Sequence, residues 1–160
     1  MLFRSEVCCL CILVFINSLF AFGITGKVVK VSDGDSFFLR AGKKTYRVRM
    51  FGIDAPELHQ EHGDICKKYL EDMILKKKVN IKVITEDKYG RKIGKVFYKN
   101  KDINLEMLKS GHAWFYEFYA KKNKKYAKSY EYAKENKLGI WKYKNLENPR
   151  DYRLKNKRKN

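Results

Sequence analysis

Three short runs with the pattern of β-strands follow one another near the start of this chain, and they restrict its fold more than any other feature. They are Gly26–Val31, Ser36–Arg40 and Thr45–Ile53. Asp33-Gly34 separates the first two runs, Ala41-Gly42-Lys43 separates the last two, and both are turn-forming sequences. Short strands joined by tight turns predict antiparallel neighbours in one sheet.

The third run alternates between two faces, which is typical of a half-buried strand. Val48 and Met50 share one face with Tyr46, whereas Arg47 and Arg49 lie on the other face. We therefore expect the Arg49 side chain to project from the side of the strand opposite the Val48 row.

Helical and strand patterns alternate through the rest of the chain. Cys66, Leu70 and Ile74 keep the spacing of an apolar helix face. The segment 112–119 is aromatic-rich and is either a strand or a packed loop. The other predicted elements are a helix over Asp64–Lys77, a hairpin of Val79–Thr85 with Lys92–Tyr98, and helices over Asp102–Gly111 and Asn123–Lys137. We predict an α+β chain with a mainly β core, a five-stranded OB-fold barrel with three appended helices.

The N-terminus has the pattern of an export signal. Leu10–Phe22 is almost unbroken apolar sequence, preceded by Arg4 and followed by the small residue Gly23. This run is short of the ~20 residues of a membrane-spanning helix. It predicts a signal peptide or an uncleaved N-terminal anchor over residues 1–23. We expect an exported protein that is secreted, periplasmic or membrane-anchored. A membrane-anchored protein would be attached through this N-terminal segment.

After the N-terminal segment we expect one domain over residues 24–145 and a charged, mobile basic tail over residues 146–160. Cys66 is the one cysteine that remains after cleavage, so no internal disulfide can form. We interpret Cys66 as a small buried residue on a helix rather than a nucleophile. The chain is expected to be a monomer.

The charge balance predicts a polyanionic partner. Lysine and arginine number 36 against 18 aspartates and glutamates, a formal net charge of +18. Such an excess attracts phosphate or a membrane surface. An AT-rich genome yields the same composition, so charge alone leaves both interpretations open. Because 44% of residues are hydrophobic and 14% aromatic, a packed core is feasible and disorder is excluded as the main state.

Acidic and basic residues cluster at the ends of the first and third runs. Asp33 and Asp35 lie on the first turn, and Arg49, Asp54 and Glu57 follow one another at the end of the third run. Carboxylates from two loops suit a hard cation, either Ca²⁺ or Mg²⁺. A glutamate can accept a proton from water, and arginines can bind phosphate in a bidentate way. The cluster therefore indicates phosphodiester hydrolysis, with turn formation and surface ion pairs as the alternative.

Four segments together resemble the thermonuclease (micrococcal nuclease) family in order and spacing. They are Val31–Ser36, Arg49–Glu57, Asp87–Arg91 and Leu138–Trp141. The resemblance covers about residues 25–142. It implies an OB-fold barrel with three helices, and a Ca²⁺-dependent phosphodiesterase that acts on DNA and RNA and leaves 3′-phosphates.

The same resemblance implies the metal ligands. Asp35 and Asp54 would hold one Ca²⁺ ion by their side chains, and Ala55 would offer its backbone carbonyl. Asp33 would support these ligands without binding the ion itself. The family usually has threonine in place of Ser36 and often in place of Ala55. Neither difference threatens activity, because the first keeps a hydroxyl and the second needs only its carbonyl.

The resemblance also implies the catalytic and substrate-binding residues. Glu57 would be the general base, and Arg49 and Arg91 would bind the scissile phosphate. The residues that would line the nucleotide site are Lys88, Tyr89 and Tyr119. One tyrosine of the family's nucleotide pocket falls on Glu117 here, which weakens base stacking on that side.

Other candidates are weighed against simpler explanations. His59 and His62 lack a third ligand at a diagnostic distance, so we interpret them as surface loop residues. A non-catalytic OB-type nucleic-acid-binding module is the main alternative function. A basic membrane-surface protein is the other, but it gives no reason for the cluster at Arg49, Asp54 and Glu57.

Overall fold

The structure is a computed structural model that describes residues 23–157. The predicted signal or anchor therefore lies outside the described residues, except for Gly23. Within the described part of the chain, none of the helices is long and apolar enough to cross a membrane. In chain order the elements are β1 (Gly23–Val31), β2 (Ser36–Ala41), β3 (Lys44–Met50), β4 (Ile53–Asp54), α1 (Gly63–Ile74), β5 (Lys78–Glu86), β6 (Lys92–Tyr98), β7 (Lys101–Asp102), α2 (Ile103–Lys109), β8 (Trp114–Phe115), α3 (Glu117–Ala120), α4 (Lys124–Glu135), a 3-10 helix (Gly139–Lys142) and α5 (Pro149–Lys157).

Five strands form a closed barrel, as the sequence predicts. Their order is β3-β2-β1-β5-β6, and parallel pairing of β3 with β6 closes the barrel. Neighbouring strands are otherwise antiparallel, because short turns join β1 to β2, β2 to β3 and β5 to β6. The helices attach to this barrel, so the α+β class with an OB-type β core is confirmed.

Strand β3 ends earlier than predicted. Val48 and Met50 are buried and Arg47 is exposed, so the predicted alternation is confirmed. The regular strand stops at Met50 because Gly52 turns the chain with a positive φ of 74°. The chain then re-enters a short strand, β4, which pairs with β8 rather than with the barrel. This turn brings Asp54 to one end of the barrel.

Helix α1 packs the predicted apolar face against the barrel. Its buried residues include Cys66, Leu70 and Ile74. A Cβ atom at Gly34 would lie 2.6 Å from the Ala55 Cβ and 2.9 Å from the Cys66 Cβ. The turn between β1 and β2 therefore needs glycine at this position, because the loop after β4 and helix α1 close in on it from two sides.

A buried amide ties helix α2 to the end of β3. The Asn104 Oδ1 accepts a hydrogen bond of 2.9 Å from the Val96 backbone amide, and its Nδ2 donates to the Phe51 carbonyl at 2.8 Å. Both ends of the amide are satisfied, as a buried polar group requires. Asn104 thus holds the chain where it leaves β3 for the loop that carries Asp54.

Much of the predicted basic tail is helical. Residues Pro149–Lys157 form helix α5, which begins with a buried proline. Proline is favoured in the first turn of a helix because its fixed φ is helical and its missing N–H would have no partner there. Contacts with the rest of the molecule, described below, hold this polar helix in place.

We predict that Tyr126→Phe lowers the free energy of unfolding by about 1–2 kcal/mol. The buried Tyr126 hydroxyl of α4 donates to the Asp102 carboxylate, 2.9 Å from Oδ2 and 3.0 Å from Oδ1. Burial beside Asp102 raises the pKa of Tyr126, so the phenol remains a donor. Urea denaturation measures the loss. Tyr132→Phe, at an exposed position of the same helix, is the control and should leave the midpoint unchanged; equal midpoints for both variants would contradict the prediction.

Candidate active site

The turn between β1 and β2 places one carboxylate at the end of the barrel. The Asp35 backbone amide donates to the Asp33 Oδ1 at 3.0 Å, which fixes the turn. The Ser36 hydroxyl donates to the Asp35 Oδ1 at 2.7 Å, so this serine uses its hydroxyl at the site. Burial and the neighbouring charge of Asp35 raise the pKa of Asp33 to about 7.

The loop after β4 brings a second carboxylate to the first. The Ala55 backbone amide donates to the Asp35 Oδ2 at 2.8 Å, which joins the two segments directly. Asp35 is 1% exposed and Asp54 is 2% exposed. Two carboxylates this buried are stable only if cationic groups or hydrogen bonds compensate them.

Arg49 provides part of that compensation. Its Nη1 lies 2.9 Å from the Asp35 Oδ1, and its Nη2 lies 2.6 Å from the Asp54 Oδ1. The guanidinium therefore bridges both aspartates. Burial opposes the charge of Arg49, but the two carboxylates outweigh it and raise its pKa.

Glu57 lies on the loop that follows, and its backbone is held by two close contacts. The Glu57 backbone amide donates to the buried Gln60 Oε1 at 3.2 Å. A Cβ atom at Gly63 would lie 1.9 Å from the Glu57 carbonyl oxygen, so only glycine lets helix α1 begin this close. This arrangement presents the half-buried Glu57 carboxylate beside Asp54.

A second arginine, Arg153, contacts the site carboxylates, and no pattern in the sequence singles it out. Arg153 of α5 donates from Nη1 to the Asp54 Oδ1 at 3.0 Å and from Nη2 to the Asp54 Oδ2 at 2.7 Å. Its Nη1 also lies 2.8 Å from the Glu57 Oε1. Burial opposes this charge, but the hydrogen bonds to Asp54 and Glu57 outweigh it and raise the pKa of Arg153. No spacing rule distinguishes this arginine from the other cationic residues of the C-terminus.

Arg91 lies in the turn immediately before the neighbouring strand β6 and pairs within that turn. Parallel register matches Val48 with Lys92, so Arg91 lies beside the strand that carries Arg49. Its Nε donates to the Asp87 Oδ2 at 2.7 Å. Lys88 and Tyr89 are exposed on the same turn, with the Lys88 Nζ 5.2 Å from the centre of the Tyr89 ring.

An open cavity of about 470 Å³ adjoins Asp54. The aromatic segment around α3 forms much of its lining, and Glu117 is part of it, at the position where the resemblance leads us to expect a tyrosine. Tyr119 is 66% exposed and contacts Tyr116, with ring centres 5.4 Å apart. The lining residues are Asp54, Trp114, Phe115, Tyr116, Glu117, Phe118, Lys121, Asn148 and Arg150.

The donor set of this end of the barrel fits a divalent cation. Within residues 23–157 no three His, Cys, Asp or Glu side chains gather in the way a metal site of side chains alone requires. The two buried aspartates instead supply two carboxylates, and hard cations complete such a set with carbonyls and water. Two guanidinium groups, from Arg49 and Arg153, compensate these carboxylates in the structure. The site is thus built for positive charge.

The remaining candidate residues lie in packed or surface positions. Burial raises the pKa of the Cys66 thiol to about 12, so it is protonated at neutral pH. His59 is exposed, whereas His62 stacks on Tyr143 with ring centres 4.1 Å apart.

Comparison with known proteins places this chain in a family. The family model of staphylococcal nuclease homologues matches residues 47–143. The chain is 38% identical over 134 residues to an uncharacterized endonuclease of Haemophilus influenzae, covering 83% of this chain and 75% of that protein. It is 33% identical over 144 residues to a micrococcal nuclease of Shigella flexneri, covering 82% of each. A probable staphylococcal-like nuclease, CAN3 of Oryza sativa, is 36% identical over 127 residues, or 79% of this chain and 32% of that protein. The chain belongs to the staphylococcal nuclease family.

Proposed function

We propose that this protein is a Ca²⁺-dependent nuclease that hydrolyses phosphodiester bonds of DNA and RNA and leaves 3′-phosphate products. The observation that carries the proposal is the Arg49 guanidinium, which joins the buried Asp35 and Asp54 next to Glu57. The coarser assignment rests on the family: the chain is a hydrolase of the nuclease class, and its relatives are named endonuclease and micrococcal nuclease.

Asp35 and Asp54 would hold the cation by their side chains, and Ala55 by its backbone carbonyl. When bound, a divalent cation supplies Lewis-acid charge to a phosphate oxygen. Asp33 orients the turn through its hydrogen bond to the Asp35 amide. The Asp35 carboxylate accepts hydrogen bonds from the Ser36 hydroxyl on Oδ1 and from the Ala55 backbone amide on Oδ2, which keeps its oxygens in place.

Glu57 would accept the proton of the attacking water. A general base must reach the proton that it removes, and Glu57 shares the Arg153 guanidinium with Asp54, so the two carboxylates lie side by side. The Glu57 side chain is 34% exposed, so the carboxylate remains open to water.

Arg49 and Arg91 would bind the non-bridging oxygens of the scissile phosphate. A guanidinium donates two parallel hydrogen bonds to phosphate, which a lysine ammonium cannot do. The three side chains that would contact the nucleotide are all exposed: Lys88, Tyr89 and Tyr119. The net charge of +18 adds a sequence-independent attraction for polyanions that weakens with salt.

We predict that the purified full-length protein cleaves single-stranded DNA with Ca²⁺ present and that a chelator stops cleavage. The ends produced should resist extension by a polymerase until a phosphatase removes the 3′-phosphate. Tight, salt-sensitive binding without cleavage in any divalent cation would instead support the non-catalytic binding module. Undiminished cleavage in chelator would contradict the role of the cation.

Export of the protein is a further part of the proposal. The apolar segment within residues 1–23, with its basic flank, supports a signal peptide or an N-terminal anchor. The proposed nuclease domain spans residues 24–145 and acts as a monomer, and the exported protein would be secreted, periplasmic or membrane-anchored. Fractionation of producing cells shows which compartment holds the protein. N-terminal sequencing of the recovered protein shows whether the signal segment has been removed.

A further inference from the structure

We propose that helix α5 is an autoinhibitory strap, in which the Arg153 guanidinium occupies Asp54 of the cation site together with the neighbouring Glu57 and must leave before the cation binds. This inference rests on the proposed function, because it takes Asp54 as a cation ligand and Glu57 as the catalytic base.

The contacts of Arg153 engage both acids at once. Both carboxylate oxygens of Asp54 accept a hydrogen bond from this side chain, at 3.0 Å and 2.7 Å. The Asp54 Oδ1 also accepts from Arg49, and the Glu57 Oε1 accepts from Arg153. A planar fork of this kind is the strongest arrangement that a side chain can offer a carboxylate.

This engagement conflicts with binding of a divalent cation. A carboxylate that ligates a cation must direct an oxygen lone pair at it. With the bond from Arg49, the two bonds from Arg153 fill three of the roughly four lone-pair sites of Asp54. A divalent cation at Asp54 would also lie close to the Arg153 guanidinium, and the two positive charges would repel each other beside this buried carboxylate. The docked strap and the cation therefore compete for Asp54.

Helix α5 and the segment that precedes it both pack on the loop that carries Glu57. The Gln60 Nε2 donates to the Glu147 carbonyl at 2.7 Å, and the Tyr152 hydroxyl donates to the His59 carbonyl at 3.2 Å. Tyr143 stacks on His62. The segment before and within α5 thus holds the Glu57 loop from outside, which positions Arg153 over the acids.

These anchoring contacts are few, so the strap is displaceable. Pro149 is the buried residue of α5, while most of the other side chains of the helix are at least partly exposed. Exposed polar contacts stabilise a docked helix weakly. A strap that is docked about nine-tenths of the time raises the apparent Kd for the cation about tenfold.

The test measures Ca²⁺ binding and strap release in the full-length protein without substrate. By calorimetry, Arg153→Gln is expected to bind Ca²⁺ about tenfold more tightly than the wild-type protein. In the wild-type protein, Ca²⁺ should speed amide hydrogen exchange across residues 149–157. In Arg153→Gln, the same residues should exchange rapidly before Ca²⁺ is added.

Two controls separate competition from simple charge removal. Lys157→Gln removes one positive charge from the same helix at an exposed position and should leave the Ca²⁺ affinity unchanged. Arg153→Lys keeps the charge but loses the fork, so it should bind Ca²⁺ more tightly than the wild-type protein and less tightly than Arg153→Gln.

The outcomes distinguish this inference from the proposed function. Equal Ca²⁺ affinity in the wild-type protein and Arg153→Gln would overturn the strap and leave the proposed function standing. Arg153→Gln could bind Ca²⁺ more tightly while Ca²⁺ leaves the exchange of residues 149–157 unchanged in the wild-type protein. That result would overturn the strap and assign the gain in affinity to the removed charge. Failure of both proteins to bind Ca²⁺ would remove the proposed cation and the strap together.

Discussion

Glu57→Gln is expected to reduce DNA cleavage by about 10²–10⁴-fold while DNA binding is retained. Glutamine has nearly the size of glutamate and keeps a carbonyl oxygen, so it still accepts the hydrogen bond from Arg153. It does not accept a proton from water at neutral pH. The variant therefore isolates the proton-accepting step from the structure of the loop.

Single-turnover cleavage with Ca²⁺ measures the rate of the Glu57→Gln variant, and fluorescence anisotropy of labelled DNA in chelator measures its binding. Glu61→Gln is the matched control, since Glu61 is exposed on the same loop. That variant should cleave at the wild-type rate. Undiminished turnover in Glu57→Gln would remove Glu57 from the role of general base.

Arg49→Lys is expected to slow cleavage by about 10²–10³-fold, the usual cost of removing one preorganised donor to a developing charge. Lysine keeps the positive charge but cannot bridge two carboxylates or fork onto a phosphate. In the structure one terminal guanidinium nitrogen of Arg49 donates a hydrogen bond to Asp35 and the other donates to Asp54. The substitution is therefore expected to loosen the proposed cation site as well as the proposed phosphate site.

Arg47→Lys is the matched control for Arg49→Lys, because Arg47 is exposed two residues earlier on the same strand. It should cleave at the wild-type rate. Arg91→Lys should also slow cleavage, but should leave Ca²⁺ affinity unchanged, since Arg91 pairs with Asp87 rather than with the aspartates of the site. A near-wild-type rate in Arg49→Lys would contradict its assignment to the phosphate.

Local pattern was sufficient to predict the barrel strands and the direction of Arg49. Strand β6 matches the predicted Lys92–Tyr98, and Val48 and Met50 are buried as their alternation requires. These predictions succeed because side chains of a strand alternate between two faces, whatever the strand packs against. The apolar face of α1 was predictable for the same kind of reason.

Boundaries set by tertiary contacts were harder to predict. The third run was expected to continue to Ile53, yet β3 ends at Met50. The end depends on the turn at Gly52 and on the pairing of β4 with β8, a segment about 60 residues later. The buried Asn104, which holds the end of β3, carries no pattern of its own.

Strand periodicity, turn chemistry and motif spacing are local properties, so they were enough to predict the five-stranded barrel, the family and the small set of acids and arginines at the ends of the strands. The contacts of Gln60 and Arg153 with the site depend instead on tertiary packing. Arg153 lies 99 residues from Asp54 in the chain and reaches it through the docking of α5. Pairing over such a separation depends on how the whole chain packs, and no local pattern of charge in a basic C-terminus encodes it.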